Sequence, residues 1–279
     1  RYFTDSTLEL SGITVKNSNA DKKTEEEIRE ALTAQLEKAR WKRKKETDTY
    51  TAELVFTEDA EYTFDIQCTD LAGNDNLDME GNTIVDYGAS TVPTAFVIDK
   101  TAPVVRVSYN NNAVENNKYF AKERTATITV TDRYFTEAAF QLEPTIVVTR
   151  TNETGKTNES IRQDLEKQLA KENWKRVNHT DSYQVTVTYQ AEADYAFKLV
   201  CTDLADNQNQ TVNYAEGTKA GAEFVIDKTK PVVTAVFNNN QAVNGKYFTD
   251  SRTVTITIVE HNFDAKKGMD IVVQAYTDE

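Results

Sequence analysis

The sequence predicts an all-β protein built of tandem sandwiches, each carrying a short helical insertion. Three observations support this. The octapeptide Phe96-Val97-Ile98-Asp99-Lys100-Thr101-Ala102-Pro103 returns with one change as Phe224-Val225-Ile226-Asp227-Lys228-Thr229-Lys230-Pro231, a repeat of 128 residues. Thr125–Thr131 alternates strictly, placing Ala126, Ile128 and Val130 on one side, the pattern of a strand buried on one face. Ile161, Leu165 and Leu169 recur every four residues, and Ile28, Leu32 and Leu36 do so in the other copy, giving one narrow helical stripe per repeat.

Each octapeptide reads as a closing strand, a tight linker and the start of the next domain. Its proline removes a ladder donor, which a strand tolerates at its first residue. Residues 1–99 align with 133–228: Arg1-Tyr2-Phe3 with Arg133-Tyr134-Phe135, Trp41 with Trp174, and Cys68-Thr69-Asp70-Leu71-Ala72 with Cys201-Thr202-Asp203-Leu204-Ala205. The expected organisation is a repeat lacking its first strands (1–99), a complete repeat (100–228) and the opening strands of a third (229–279).

Within the complete repeat, strands are expected at Val104–Tyr109, Thr125–Thr131, Ile146–Val148, Tyr183–Tyr189, Tyr195–Cys201 and Phe224–Ile226. A helix falls between the third and fourth of these. Thr24 followed by Glu27 is a capping box that starts its counterpart in the first copy. In residues 229–279, Val254, Ile256 and Ile258 repeat the alternation of Ala126, Ile128 and Val130.

Of the 279 residues, 39% are hydrophobic, and mean hydropathy is −0.62, which fits thin cores. No apolar run approaches the roughly 20 residues of a membrane helix. A net charge of −13 argues against neutralising the phosphates of a nucleic acid. The two cysteines, Cys68 and Cys201, hold equivalent places in successive repeats, so they are expected as buried free thiols rather than a disulfide.

Glu58-Asp59-Ala60-Glu61-Tyr62-Thr63-Phe64 and Ala191-Glu192-Ala193-Asp194-Tyr195-Ala196-Phe197 resemble the tyrosine corner of immunoglobulin-like sandwiches. Thr69-Asp70-Leu71-Ala72-Gly73-Asn74 is similar to a turn of tandem bacterial immunoglobulin-like repeats, with Asp206 replacing the glycine in the second copy. The I-D-K-T-x-P linker is typical of the same arrays. Two features depart from antibody-type domains: the paired cysteines are missing, and a helix is inserted. The resemblance implies a bacterial cell-surface or secreted protein in which such modules serve as spacers or binders.

Candidate chemistry is sparse. The acidic turn Asp70, Asn74, Asp75, Asn76 and Asp78, with Asp99 of the linker nearby, could offer calcium an oxygen cage. A solvated Asx-turn cluster is the competing reading. No other cofactor is expected. Trp41 and Trp174, each following a helix, are either stacking platforms for a sugar or pins of helix to sheet. Lys38, Arg40, Lys42, Arg43, Lys44 and Lys45 form a basic run that suits a helix C-terminus or, less directly, a polyanion. His179 and His261, the two histidines, fall at non-equivalent positions and build no triad or zinc set.

The expected function is therefore non-catalytic. Tandem modules would form a stalk, spacer or adhesive segment outside a bacterial cell, partnered by other repeats or by a host or cell-surface glycan or protein. Two alternatives stand beside it: an accessory or carbohydrate-binding region of a large extracellular enzyme, and a filament subunit that exchanges strands with neighbouring chains. The incomplete outer repeats read either as trimmed ends of a longer array or as halves that complete one another.

Overall fold

A computed structural model describes residues 8–9, 13–18, 23–36, 41–92, 94–134 and 141–264, with only the backbone of residues 8–9 and 141–142. The chain is mostly β, in several sheets. It divides into two compact units. Unit 1 comprises residues 1–103 with two later segments, 131–141 and 201–210; unit 2 comprises 104–130, 142–200 and 211–279.

Unit 1 contains β1 (Leu8–Glu9), β2 (Thr14–Lys16), α1 (Glu25–Ala34), β3 (Lys42–Arg43), β4 (Tyr50–Thr51), β5 (Ala60–Thr63), β6 (Gln67–Cys68) and β7 (Ala95–Ile98). Its main sheet runs β2-β5-β7, antiparallel throughout. The capping box at the start of α1 is present: Thr24 Oγ1 accepts from Glu27 N, and the Glu27 carboxylate accepts from Thr24 N. Ile28 and Leu32 bury the narrow helical stripe, while Leu36 is half-buried. They pack with Ile13, Val15, Ala60 and Tyr62, and Phe56 meets the Tyr62 and Phe96 rings edge-on at 5.0 and 4.9 Å.

Unit 2 contains β8 (Val104–Tyr109), β9 (Tyr119–Phe120), β10 (Arg124–Thr131), β11 (Gln141–Thr149), α2 (Asn158–Gln168), β12 (Lys175–Arg176), β13 (Ser182–Tyr189), β14 (Ala193–Thr202), β15 (Val212–Tyr214), β16 (Glu223–Ile226), β17 (Val232–Phe237) and β18 (Val254–Val259). One sheet runs β12-β13-β10-β8-β15 and another β11-β14-β16-β9. The pairs β8–β15 and β9–β16 are parallel. Alternation along β8, β10, β13 and β14 turns Val107, Ile128, Val187 and Leu199 inward, each no more than 1% exposed. The Phe224 ring of β16 contacts Tyr109 of β8 and Tyr189 of β13, joining the inward faces of the two sheets. A separate antiparallel hairpin pairs β17 with β18.

The six strands expected in the complete repeat are all present. Three short ones, β9, β12 and β15, are additional, and each is specified by a neighbouring strand rather than by its own two or three residues. The two cysteines are free. Cys201 is buried, but Cys68 is only half-buried, which corrects the expectation of two buried thiols. The strand carrying Cys68, β6, is two residues long and among the described residues pairs with the two-residue β1 alone, so little of the described chain covers it.

Candidate cation site and the repeated polar clusters

The polar side chains of this chain gather into clusters, and most clusters occur twice. In unit 1, buried Asp59 clamps the linker: Oδ2 accepts from Lys100 N at 3.0 Å and from Thr101 Oγ1 at 2.7 Å. In unit 2, buried Glu192 accepts from Lys228 N and from Thr229 Oγ1, both at 2.8 Å. The Tyr62 hydroxyl donates to Glu58 O, and the Tyr195 hydroxyl to Ala191 O, both at 2.6 Å.

The tryptophans follow the same rule. Trp41 Nε1 donates to Leu36 O and Trp174 Nε1 to Leu169 O, each at 3.0 Å, which ties each ring to the end of its helix. Trp174 is 3% exposed, so neither face of its ring is open for stacking on a sugar; Trp41 is half-buried. Arg43 and Arg176 each donate from Nε to the carbonyl four residues ahead, of Thr47 and Thr180. Lys38 and Arg40 of the basic run, and the aligned Tyr2, Phe3 and Phe135, lie outside the described residues. Lys42, Lys44 and Lys45 are exposed.

The acidic turns are self-satisfied. Asp70 Oδ1 accepts from Ala72 N and Asn74 N, and Oδ2 from Asn74 Nδ2, which holds this carboxyl below the usual range. Asp203 repeats the pattern with Ala205 and Asn207, and Asp78 does so with Glu80 and Asn82. Gly73 and Asp206 both have left-handed backbones, with φ of 84° and 64°; aspartate is among the few side chains that tolerate this. Asp75 Oδ1 accepts from Leu77 N.

Asp99 finds different company from that expected. Among the described residues one group of three carboxylates converges: Asp99, Asp132 and Asp203 of unit 1, with ligand atoms all within 4.8 Å of one another. Asp70, Asp75 and Asp78 are not in it. Asp132 and Asp203 are 6% and 4% exposed. Asp99 Oδ1 accepts from Thr101 N, whereas Oδ2 is buried with no hydrogen-bond partner among the described residues. Burial first, then the Asp203 and Asp59 charges, pushes the Asp99 carboxyl above its ordinary range. The set is oxygen-only and anionic, which fits a hard divalent cation such as calcium and not a thiophilic metal.

One cluster was not anticipated from sequence. Arg124 is fully buried, with Nε donating to Asn111 O, Nη1 to Ala220 O, and Nη2 to Lys219 O and Asn112 Oδ1. Its guanidinium lies 3.6, 4.2 and 4.7 Å from the ring centres of Tyr109, Phe120 and Phe224. Desolvation lowers it to about 10. Arg252 repeats half of this cage: Nε donates to Asn239 O and Nη2 to Asn240 Oδ1, with the Phe237 and Phe248 rings at 3.8 and 4.4 Å. The sequence signal was the shared offset of Asn-Asn, Phe and Arg in 111–124 and 239–252.

His261 Nε2 lies 3.1 Å from Arg150 O, and His179 sits in a turn with φ of 59°. No family model, no curated protein and no solved structure matches this chain.

Proposed function

We propose that this chain is a run of immunoglobulin-like sandwich modules that serves as a non-catalytic spacer, stalk or adhesive segment of a bacterial surface or secreted protein. The observation that carries this reading is the linker clamp: Asp59 on Lys100 and Thr101 recurs as Glu192 on Lys228 and Thr229. An active site needs one unique constellation, whereas these polar groups hold the same closing strand in each copy. The tyrosine hydroxyl bonds four residues back fit the corner of immunoglobulin-like domains. Single-molecule pulling of the chain tests the mechanical role. Glu192→Ala should lower the force needed to detach the unit 2 closing strand, and Asp59→Ala should leave that event unchanged. An unfolding force indifferent to either clamp would contradict a mechanical role for the linker.

We further infer that Asp99, Asp132 and Asp203 hold a calcium ion, because their ligand atoms converge and Asp99 Oδ2 is buried without a hydrogen-bond donor among the described residues. Calorimetric titration with calcium should show one site that Asp203→Asn removes. Unchanged binding in that variant would place the ion elsewhere.

A further inference from the structure

Three exposed turns of unit 2 share one backbone. Asn116-Asn117, Asn178-His179 and Asn244-Gly245 each place two successive residues in the left-handed region. Their φ values are 46° and 66°, 43° and 59°, and 48° and 78°. All six residues are exposed. Asn244 matches Asn116 at the repeat distance of 128 residues, so this turn is open in both copies. What differs is the residue that follows the asparagine. Asn117 and His179 carry side chains, and Gly245 carries none.

The loop around Asn244 is pinned at its base and loose at its tip. Val243 N donates to Tyr247 O at 2.7 Å, and Tyr247 N to Val243 O at 2.9 Å. Among the described residues, neither the Asn244 carboxamide nor the Gly245 amide has a hydrogen-bond partner. A Cβ built on Gly245 would meet nothing within 4 Å, so the space flanking its nitrogen is open. An exposed carboxamide without a partner changes rotamer readily. Glycine also gives the main chain beside it more conformations than any other residue. The Gly245 nitrogen can therefore reach the Asn244 carboxamide carbon.

We propose that Asn244 is a site of spontaneous deamidation and main-chain isomerisation. Hydroxide removes the Gly245 amide proton, and the nitrogen attacks Asn244 Cγ. The Cγ–Nδ2 bond breaks, and ammonia leaves with a proton taken from water. A succinimide ring remains. Water then adds to either ring carbonyl, and the bond from that carbon to the ring nitrogen breaks. The products are aspartate and isoaspartate. Nothing is oxidised or reduced; the side-chain amino group is exchanged for a hydroxyl that ionises at neutral pH. Isoaspartate routes the main chain through Cβ and Cγ, which lengthens the tip and strains the Val243–Tyr247 pair. Each event also adds a negative charge beside Lys246. At Asn116 and Asn178 the side chains of Asn117 and His179 crowd the attacking nitrogen, so the same turn persists there.

The test is to incubate the whole native chain in mildly alkaline heavy-oxygen water, then digest it in ordinary water for mass spectrometry. The Asn244 peptide should convert to aspartyl and isoaspartyl forms, each bearing a solvent oxygen. The Asn116 and Asn178 peptides should remain asparaginyl over the same interval. Gly245→Asn, which copies the turn that Asn117 already adopts, should slow Asn244 by about tenfold. Asn117→Gly should speed Asn116 by a similar factor. Amide exchange at Tyr247 should quicken in the isoaspartyl fraction. Conversion of all three peptides at one rate would overturn the proposal. So would conversion of Asn244 only after denaturation, or a rate that Gly245→Asn leaves unchanged.

Discussion

Thr101 Oγ1 donates to Asp59 Oδ2 at 2.7 Å across 42 positions of sequence, and the same carboxylate oxygen takes the amide of Lys100. The linker is thus fastened by an acid that precedes the tyrosine corner. Removing the acceptor leaves two donors without a partner. Glu192→Ala should therefore cost about 1.5–3 kcal/mol in denaturant unfolding. Glu192→Gln keeps one acceptor oxygen and should cost less than half of that. Equal losses in the two variants would show that charge rather than hydrogen bonding matters here.

Arg124 is the most committed side chain of unit 2. Four hydrogen bonds and three aromatic rings surround it, and among the described residues no carboxylate is paired with it. Arg124→Ala should destabilise unit 2 by about 3–5 kcal/mol, since it opens a cavity and takes a donor from the backbone carbonyls of Asn111, Lys219 and Ala220. Arg124→Lys should recover little, because an ammonium cannot satisfy this planar arrangement. Arg252→Ala, in the exposed half-cage, should cost under about 1 kcal/mol in the monomer. Calorimetric melting of the three variants separates these outcomes.

The thiols should differ in reactivity. Burial, with the nearby Asp132 and Asp203 charges, pushes Cys201 up to about 12, so the thiolate needed for attack is scarce. Cys68 is half-buried. Native labelling at neutral pH should modify Cys68 first and leave Cys201 untouched until denaturation. Mass spectrometry of the labelled peptides reads this directly, and early labelling of Cys201 would contradict its burial.

Asp99 gives a pH dependence of defined sign. Its carboxyl titrates above the ordinary value of 3.8 in the folded chain, so the fold takes up the proton more readily than the unfolded chain does. Its contribution is therefore greatest in acid and is lost as pH rises from 3.8 through the higher folded value. With calcium absent, Asp99→Asn should remove that loss, so the variant gains on the parent as pH increases. With calcium present the order should reverse at neutral pH, and a chelator should lower the melting temperature of the parent alone. A calcium-independent melting curve for the parent would remove the ion.

Much of this architecture is legible in the residues. Thr125–Thr131 alternates over seven positions, long enough for one face to declare itself, and the structure buries that face. The cap of α1 was readable because Glu27 stands three residues after Thr24; that of α2 was not, since Ser160 plays the same part with a hydroxyl. Strands β9, β12 and β15 escape notice because two or three residues have no period. The acidic cluster was half visible. Asp99 belongs to the repeated linker, but Asp132 follows a strand and Asp203 begins a turn 71 residues later; their meeting is set by the packing of unit 1 rather than by spacing. An acidic residue after each alternating strand, Asp132 and Glu260, was the available signal.

Amide hydrogen exchange at Lys100 and Lys228, 128 residues apart, tests the repeated clamp most directly. Both amides donate to a buried carboxylate at the end of a closing strand. Both should exchange far more slowly than a free peptide, with Asp59→Ala releasing Lys100 alone and Glu192→Ala releasing Lys228 alone. Free-peptide exchange at either amide in the parent chain, or release of both by one substitution, would contradict two equivalent and independent clamps.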